Sequence, residues 1–235
     1  QIVVAFRMLP EVVWNMPRYG TFNLHAALLP QYRGAAPINW AIINGDTETG
    51  ITTFFLDHDI DTGSIIQRVP VPILDTDNVE DVHDKLMHLG SDLVVETVDN
   101  ILAGTVTPIP QSELQTDEPL RPAPKIFKET CRIDWTQGVK RTYDFVRGLS
   151  PYPAAWTELT YNGKTSVLKV YATSKEFCEV SEPIGTIVID GKTYLKVAQA
   201  DGYQHLLTIQ LAGKKRMQTA DFLRGFHAEG EVSVK

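Results

Sequence analysis

Five prolines fall between residues 107 and 124, and this density restricts the possible folds of the chain more than any other feature. Proline lacks the backbone N–H and fixes φ, so regular helices and strands are excluded from such a stretch. We predict an extended, semi-rigid linker over 107–124. It would separate a domain over residues 1–106 from a domain over residues 125–235. The prolines are Pro108, Pro110, Pro119, Pro122 and Pro124.

Before this linker, segments typical of strands alternate with segments typical of helices. The longest helix is the clearest, because Asn78 is a suitable N-cap, apolar residues then recur at helical spacing, and Gly104 ends the pattern. Strands separated by helices favour an α/β fold with a largely parallel sheet. We predict strands at 2–6, 21–25, 50–56 and 64–72, with shorter helices at 10–16 and 36–44.

After the linker the pattern changes to short strands with turn signals. Asn162-Gly163 and Asp190-Gly191 have the composition of hairpin turns. Five such strands suggest a small β-barrel of the OB type, a fold often used to bind nucleic acids. We predict strands at 155–161, 164–172, 184–190, 193–199 and 203–211, and helices at 137–148 and 219–227.

The composition is that of an ordinary globular protein, with 43% hydrophobic and 22% charged residues in 235. No apolar run approaches the roughly 20 residues of a membrane span. Cys131 and Cys178 are too few for a disulfide framework, so we expect a reduced, cytoplasmic setting and no membrane. Residues 1–6 have the pattern of a buried strand and no methionine precedes them, so we expect that an N-terminal portion is missing.

Charge is distributed unevenly along the chain. The net charge of −7 divides into −12 over residues 1–120 and +5 over residues 121–235. Such asymmetry indicates a half that binds a polyanion, although mildly basic domains are also common without one. Within the basic half, Lys214, Lys215 and Arg216 follow a predicted strand, and three consecutive cations on a turn suit phosphate contacts.

Two polar side chains share one face of the predicted strand at 21–25. Phe22 and Leu24 point to the opposite face from Asn23 and His25. An unpaired buried polar group costs roughly 1–3 kcal/mol, so this placement indicates a function, unless backbone groups satisfy both side chains. Together with a carboxylate from the acidic loop 57–61, an amide and an imidazole can stabilise an oxyanion and move a proton.

The acidic loop also invites a metal-binding interpretation. Its Asp-x-Asp-x-Asp pattern begins like a calcium loop, but Thr62 replaces the required glycine and Arg68 replaces the required glutamate. We therefore reject calcium. A hydrolytic metal site that uses His25, His58 and carboxylates stays open as an alternative, but its spacing is unspecific and a flexible acidic loop is the commoner explanation, so we expect no metal.

Longer motifs identify a family. The chain carries NLHAALLPQYRGAAPI at 23–38 and DHDIDTG at 57–63, with APKI, RIDW, SPYP and LAGKKRM further on. These segments closely resemble the folate-dependent formyltransferases, and the later ones resemble the branch that acts on tRNA. The resemblance implies a Rossmann-like sheet whose opening βαβ units would precede residue 1. It also implies 10-formyltetrahydrofolate as formyl donor, initiator methionyl-tRNA as partner, and a monomer.

The resemblance further implies roles for single residues. Asn23 would stabilise the oxyanion, His25 would transfer the proton, and Asp61 would orient His25 and favour its protonated form. The family usually has serine where this chain has Ala27. The folate cleft would be lined by Phe6, Arg7, Met8, Leu9, Ala27, Leu28, Leu29, Pro30, Leu56 and Asp57.

Three other functions remain open at this point. A sugar-nucleotide N-formyltransferase shares the same signature and has a similar second domain. A 10-formyltetrahydrofolate hydrolase would use water in place of the amine at the same three residues. A basic barrel without a competent folate site would be a binding module.

Overall fold

The computed structural model of the chain describes residues 1–4, 9–114, 116 and 118–235. The chain divides into two compact units. Unit 1 comprises Gln1–Ala41 and Asp46–Lys125, and unit 2 comprises Ile42–Gly45 and Ile126–Lys235.

The predicted strands and helices before residue 107 occur in the predicted order. The sheet order is β1-β2-β3-β4, with β1 parallel to β2 and both other pairs antiparallel. The prediction of a largely parallel sheet is therefore wrong for the described strands. The nine residues between β3 and β4 are too few for the crossover that parallel strands need, so the two strands pair as a hairpin. The elements are β1 (Ile2–Val3), α1 (Glu11–Trp14), β2 (Phe22–His25), α2 (Pro37–Ile43), β3 (Glu48–Phe55), β4 (Ile65–Pro72) and α3 (Val79–Ala103).

Helix α3 begins and ends where its capping residues predict. The Asn78 side chain accepts hydrogen bonds from the N–H groups of Glu80 and Asp81, and Gly104 ends the helix with φ of 70°. Gly90 of this helix lies against Leu24 of β2, where an added Cβ would come within 2.8 Å of the leucine. The helix therefore covers the Leu24 face of β2 and leaves the Asn23 and His25 face to other segments.

Unit 2 is built on one antiparallel sheet in the order β11-β5-β6-β9-β8-β7. The sheet curls into a barrel-like form, since the N–H of Ile187 donates to Val232 O and that of Val234 donates to Gly185 O. The predicted turn at Asn162-Gly163 joins β5 to β6, with φ of 49° and 68° at its two residues. Helix α5 is shorter than predicted. The elements are α4 (Val139–Arg147), β5 (Ala155–Tyr161), β6 (Lys164–Phe177), β7 (Ile187–Ile189), β8 (Leu195–Gln199), β9 (Gly202–Leu211), β10 (Met217–Gln218), α5 (Thr219–Leu223) and β11 (Ser233–Val234).

The proline-rich segment packs onto unit 1. Ile109 pairs with Ile65 and Ala123 pairs with Gly34 through isolated backbone bridges. A short 3₁₀ turn, Gln111–Glu113, interrupts the extended chain, and the Gln111 side chain is buried. Through this buried side chain the segment contacts the loop between β3 and β4.

Candidate active site

Strand β2 places Asn23 and His25 on one face, as the alternation of the strand predicts. Both residues are buried, with 5% and 6% of their surface exposed. The Asn23 amide donates to Val3 O over 2.7 Å. Because that carbonyl can only accept, the bond fixes the Nδ2 orientation and leaves the second amide hydrogen for another acceptor.

The His25 ring is held through one of its two nitrogens. Nε2 lies 2.9 Å from Tyr32 O, and since a carbonyl only accepts, Nε2 carries the proton in this contact. The ring also meets Phe54 edge-on, with centroids 6.4 Å apart. In the neutral imidazole, Nδ1 is therefore the nitrogen that can take up a proton.

Asp61 faces that nitrogen. Its Oδ2 lies 3.8 Å from His25 Nδ1 and accepts a hydrogen bond of 2.9 Å from the N–H of Gly34. The aspartate has φ of 56°, in the left-handed region that few non-glycine residues adopt. The structure thus brings together two side chains that are 36 positions apart in the sequence.

Burial determines the charge of His25. It lowers the pKa of this histidine below its usual range, and it outweighs Asp61 and the Tyr32 hydrogen bond, which both raise the pKa. The sequence predicted the direction of the Asp61 interaction, but the net shift is opposite. His25 is therefore neutral near pH 7 and available as a proton acceptor.

The turn after β2 is fixed by side chains from β3 and β4. Thr52 accepts a hydrogen bond from the N–H of Leu29 and donates to Ala27 O, over 3.1 and 2.6 Å. Arg68 donates to Leu29 O over 3.1 Å. Neither Ala27 nor Leu29 has exposed surface, and Leu29 packs in a core cluster with Phe54. These two predicted folate contacts lie beneath the surface of unit 1.

The other predicted folate contacts differ in exposure. Leu9, Leu28 and Leu56 are half-buried, Pro30 is buried and Asp57 is exposed. Phe6, Arg7 and Met8 lie outside the described residues. A cavity of about 590 Å³ opens beside Pro30 and Asp57. Its further lining includes Arg33, Thr62, Ser64, Gln111, Leu114 and Leu120.

Sequence reasoning missed Gln111, Arg33 and Gly34. The Gln111 Nε2 donates to Asp61 O and Gly63 O over 2.8 and 2.9 Å. Arg33 donates to the Gln111 Oε1 from Nε and Nη2, over 3.1 and 2.6 Å. Arg33 and Gly34 lay inside a recognised motif without an assigned role, and Gln111 lay in the predicted linker, where no pattern distinguished it.

The predicted cationic turn joins β9 to β10 in unit 2. Lys214 and Lys215 are exposed, and the Arg216 guanidinium lies 4.1 Å from the centre of the Tyr171 ring. The Tyr171 hydroxyl donates to the side chain of Gln210 over 2.7 Å. The turn therefore presents two exposed lysines and an arginine that stacks on an aromatic ring.

A second group of cations surrounds Trp156 on β5. The Lys128 ammonium and the Arg132 guanidinium lie 6.0 and 5.5 Å from the centre of its ring. Trp156 pairs in register with Lys169, and Lys169 pairs with Gln210. Side chains of one cross-strand row share a face of the sheet, so Trp156, Lys169 and Gln210 lie on the same face. Gln210 is also the hydrogen-bond partner of Tyr171.

Within the described part of the chain, no group of three or more His, Cys, Asp or Glu side chains is placed to hold a metal ion. Nor do the described helices include one that is both long and apolar enough to cross a membrane.

Comparison with known proteins identifies the family. Residues 1–98 match the family model described as formyl transferase, and residues 125–227 match the formyl transferase C-terminal domain. HypX from Aquifex aeolicus, solved in complex with tetrahydrofolic acid, shares the fold with a TM-score of 0.67 and 19% identity. That alignment covers 99% of this chain and 42% of HypX. The chain therefore belongs to the formyl transferase family.

Its place within the family follows from closer relatives. A curated protein of Phocaeicola vulgatus is 70% identical, and one of Bacteroides fragilis is 68% identical. Both alignments cover 100% of this chain and 73% of the relative, and both relatives are named methionyl-tRNA formyltransferase. The chain belongs with the methionyl-tRNA formyltransferases.

Proposed function

We propose that the chain transfers the formyl group of 10-formyltetrahydrofolate to the amino group of methionine esterified to initiator tRNA. Formylation of methionyl-tRNA is the activity named for relatives up to 70% identical over the whole chain. The observation that supports the chemistry most directly is the pairing of His25 with Asp61 beside Asn23 on a buried strand face.

The reaction needs an oxyanion donor and a proton carrier. The methionine nitrogen attacks the formyl carbon, a tetrahedral oxyanion forms, and the bond from that carbon to N10 of the folate breaks. The Asn23 hydrogen that Val3 does not use would donate to the oxyanion. This role needs no rearrangement of β2, because Val3 already fixes the amide.

His25 would carry the proton between the two nitrogens. Its Nδ1 takes the proton released by the attacking amine and returns it to N10 as the folate leaves. The neutral state favoured by burial suits the first step. Asp61, 3.8 Å away, would then stabilise the imidazolium that forms, so the same pair serves both steps.

The second unit would bind the tRNA as an OB-like barrel on a monomeric enzyme. Its residues contribute to the charge of +5 over 121–235. Exposed Lys214 and Lys215, together with Arg216 on Tyr171, suit contacts to the phosphate backbone. We accordingly propose residues 1–106 as the formyltransferase part and 125–235 as the tRNA-binding part, joined through the proline-rich segment.

Activity of two variants tests these roles. Asn23→Ala and His25→Ala should each lower kcat for formylation of methionyl-tRNA by at least about 100-fold. His83→Ala is a matched control, because this exposed histidine lies on α3. Near-normal turnover of His25→Ala would refute the proton-transfer role. Formate release that does not depend on charged tRNA would instead indicate a hydrolase, and formylation of an amino-sugar nucleotide alone would indicate a sugar enzyme.

A further inference from the structure

Gln111 is a buried amide whose hydrogen-bonding capacity is fully used. Only 6% of its surface is exposed. Its two amide hydrogens go to Asp61 O and Gly63 O, and its oxygen accepts two hydrogen bonds from Arg33. An amide group has two donors and two acceptor sites, so this side chain is saturated.

These hydrogen bonds form part of a closed network around Asp61, which we call the circuit. Gln111 holds the backbone of the loop after β3, and Arg33 holds Gln111 from the turn after β2. Gly34, which follows Arg33 in the chain, donates its N–H to the Asp61 carboxylate. The circuit therefore fixes both the backbone and the side chain of Asp61 relative to the turn that carries Tyr32, the partner of His25.

Asp61 needs this support because its backbone is in an unfavourable region. A non-glycine residue in the left-handed conformation is strained and persists only when its surroundings enforce it. The two hydrogen bonds from the Gln111 amide to Asp61 O and Gly63 O hold the backbone on both sides of Thr62 and so enforce this conformation. Without them the loop can relax, and the carboxylate moves away from His25 Nδ1.

We propose that Gln111 is a positioning residue for formyl transfer, which acts by holding the Asp61 carboxylate against His25. The inference rests on the proposed roles of His25 and Asp61. It assigns to the proline-rich segment a part in catalysis in addition to connecting the two halves of the chain.

The simplest competing explanation is that Gln111 only anchors the proline-rich segment. Gln31 offers a matched control for that explanation. Its side chain donates to Pro119 O over 3.2 Å and accepts from the N–H of Arg121 over 2.8 Å. Gln31 thus ties the same segment to the same turn without touching Asp61 or Gly63.

The test compares Gln111→Met with Gln31→Met, since methionine keeps the length of glutamine and removes its hydrogen bonds. We expect Gln111→Met to lower kcat about 10- to 100-fold, the order of loss for a small misplacement of a catalytic group. Gln31→Met should stay within about twofold of wild type in kcat, because loosening the segment alone leaves Asp61 in place. Thermal unfolding of both variants shows how far each destabilises the fold.

The pH dependence of kcat supplies a readout that anchoring alone would not move. Asp61 raises the pKa of His25, so displacement of the carboxylate should shift the acidic limb of the profile to lower pH in Gln111→Met only. Equal losses of kcat in the two variants, or an unshifted limb in Gln111→Met, would overturn the proposal. His25→Ala, measured alongside, separates the two levels: if it is inactive while Gln111→Met is normal, only the positioning role fails. If His25→Ala is itself normal, the proposed function of the site fails.

Discussion

Replacing Gly63 with alanine tests whether the loop after β3 must keep its present path. Gly63 lies near the end of this loop, against Phe55, the last residue of β3. A Cβ added to Gly63 would be 1.7 Å from Phe55 O. The obstacle is backbone, and Phe55 is held in turn by a hydrogen bond from its N–H to Ser64 O. Since Cβ atoms essentially never come within 3.0 Å of such an atom, the loop must retreat by at least about 1.3 Å.

This displacement should affect stability and activity together. Forcing an extra methyl group into a packed site costs about 1–3 kcal/mol. Because Gly63 O accepts from Gln111 and Asp61 lies two residues earlier, a shift of that size should also lower kcat by up to about 100-fold.

Denaturant unfolding and formylation of methionyl-tRNA measure the two effects. Gly225→Ala is the control. Apart from the two chain neighbours of Gly225, no atom of the described residues lies within 4 Å of its added Cβ, so this variant should change the unfolding free energy by less than about 0.5 kcal/mol. A Gly63→Ala enzyme with stability and kcat equal to those of Gly225→Ala would refute the reasoning.

Three further outcomes follow from the same structure. Asp61→Asn should lower kcat. It should also move the acidic limb of the pH profile of kcat to lower pH, because the Asp61 carboxylate raises the pKa of His25. An unmoved limb would contradict the pairing of Asp61 with His25. Burial lowers the pKa of His25 in the folded protein, so on acidification the unfolded chain binds the proton before the folded protein does. The free energy of unfolding should therefore decrease as the pH is lowered from about 6.5. Urea titrations of wild type and His25→Asn should show that this fall is smaller in the variant. Alanine at Lys214, Lys215 and Arg216 should weaken tRNA binding and flatten its salt dependence by about 0.7–0.9 log units per lost phosphate contact; an unchanged slope would exclude the turn from the interface.

The features that sequence patterns predicted are those that depend on near neighbours. The alternation in β2 predicted that Asn23 and His25 share a face, and the caps at Asn78 and Gly104 predicted both ends of α3. The left-handed conformations of Asn162 and Gly163 follow in the same way from the residue types that tolerate them. In each case the governing contacts span a few residues.

The direction of strand pairing could not be predicted in that way. Periodicity shows that β3 is a strand, but its partner and direction depend on the path of the connecting chain. The helix between β2 and β3 suggested a crossover between parallel strands, whereas the structure pairs Asn23 with Phe54 in an antiparallel ladder.

The protonation state of His25 and the position of Asp61 depend on contacts between residues that lie still further apart in the sequence. The pKa of His25 follows from its burial, which a motif does not show, and burial outweighs the neighbouring carboxylate that the motif does show. Gln111 lies 50 positions after Asp61 and 78 after Arg33, in a stretch whose prolines favour extended chain. Those prolines exclude a helix or strand, but they do not prevent a single buried amide from bonding to the loop. The segment is therefore attached in two ways, through backbone bridges such as that of Ile109 with Ile65 and through the buried Gln111 amide, and neither follows from its proline pattern.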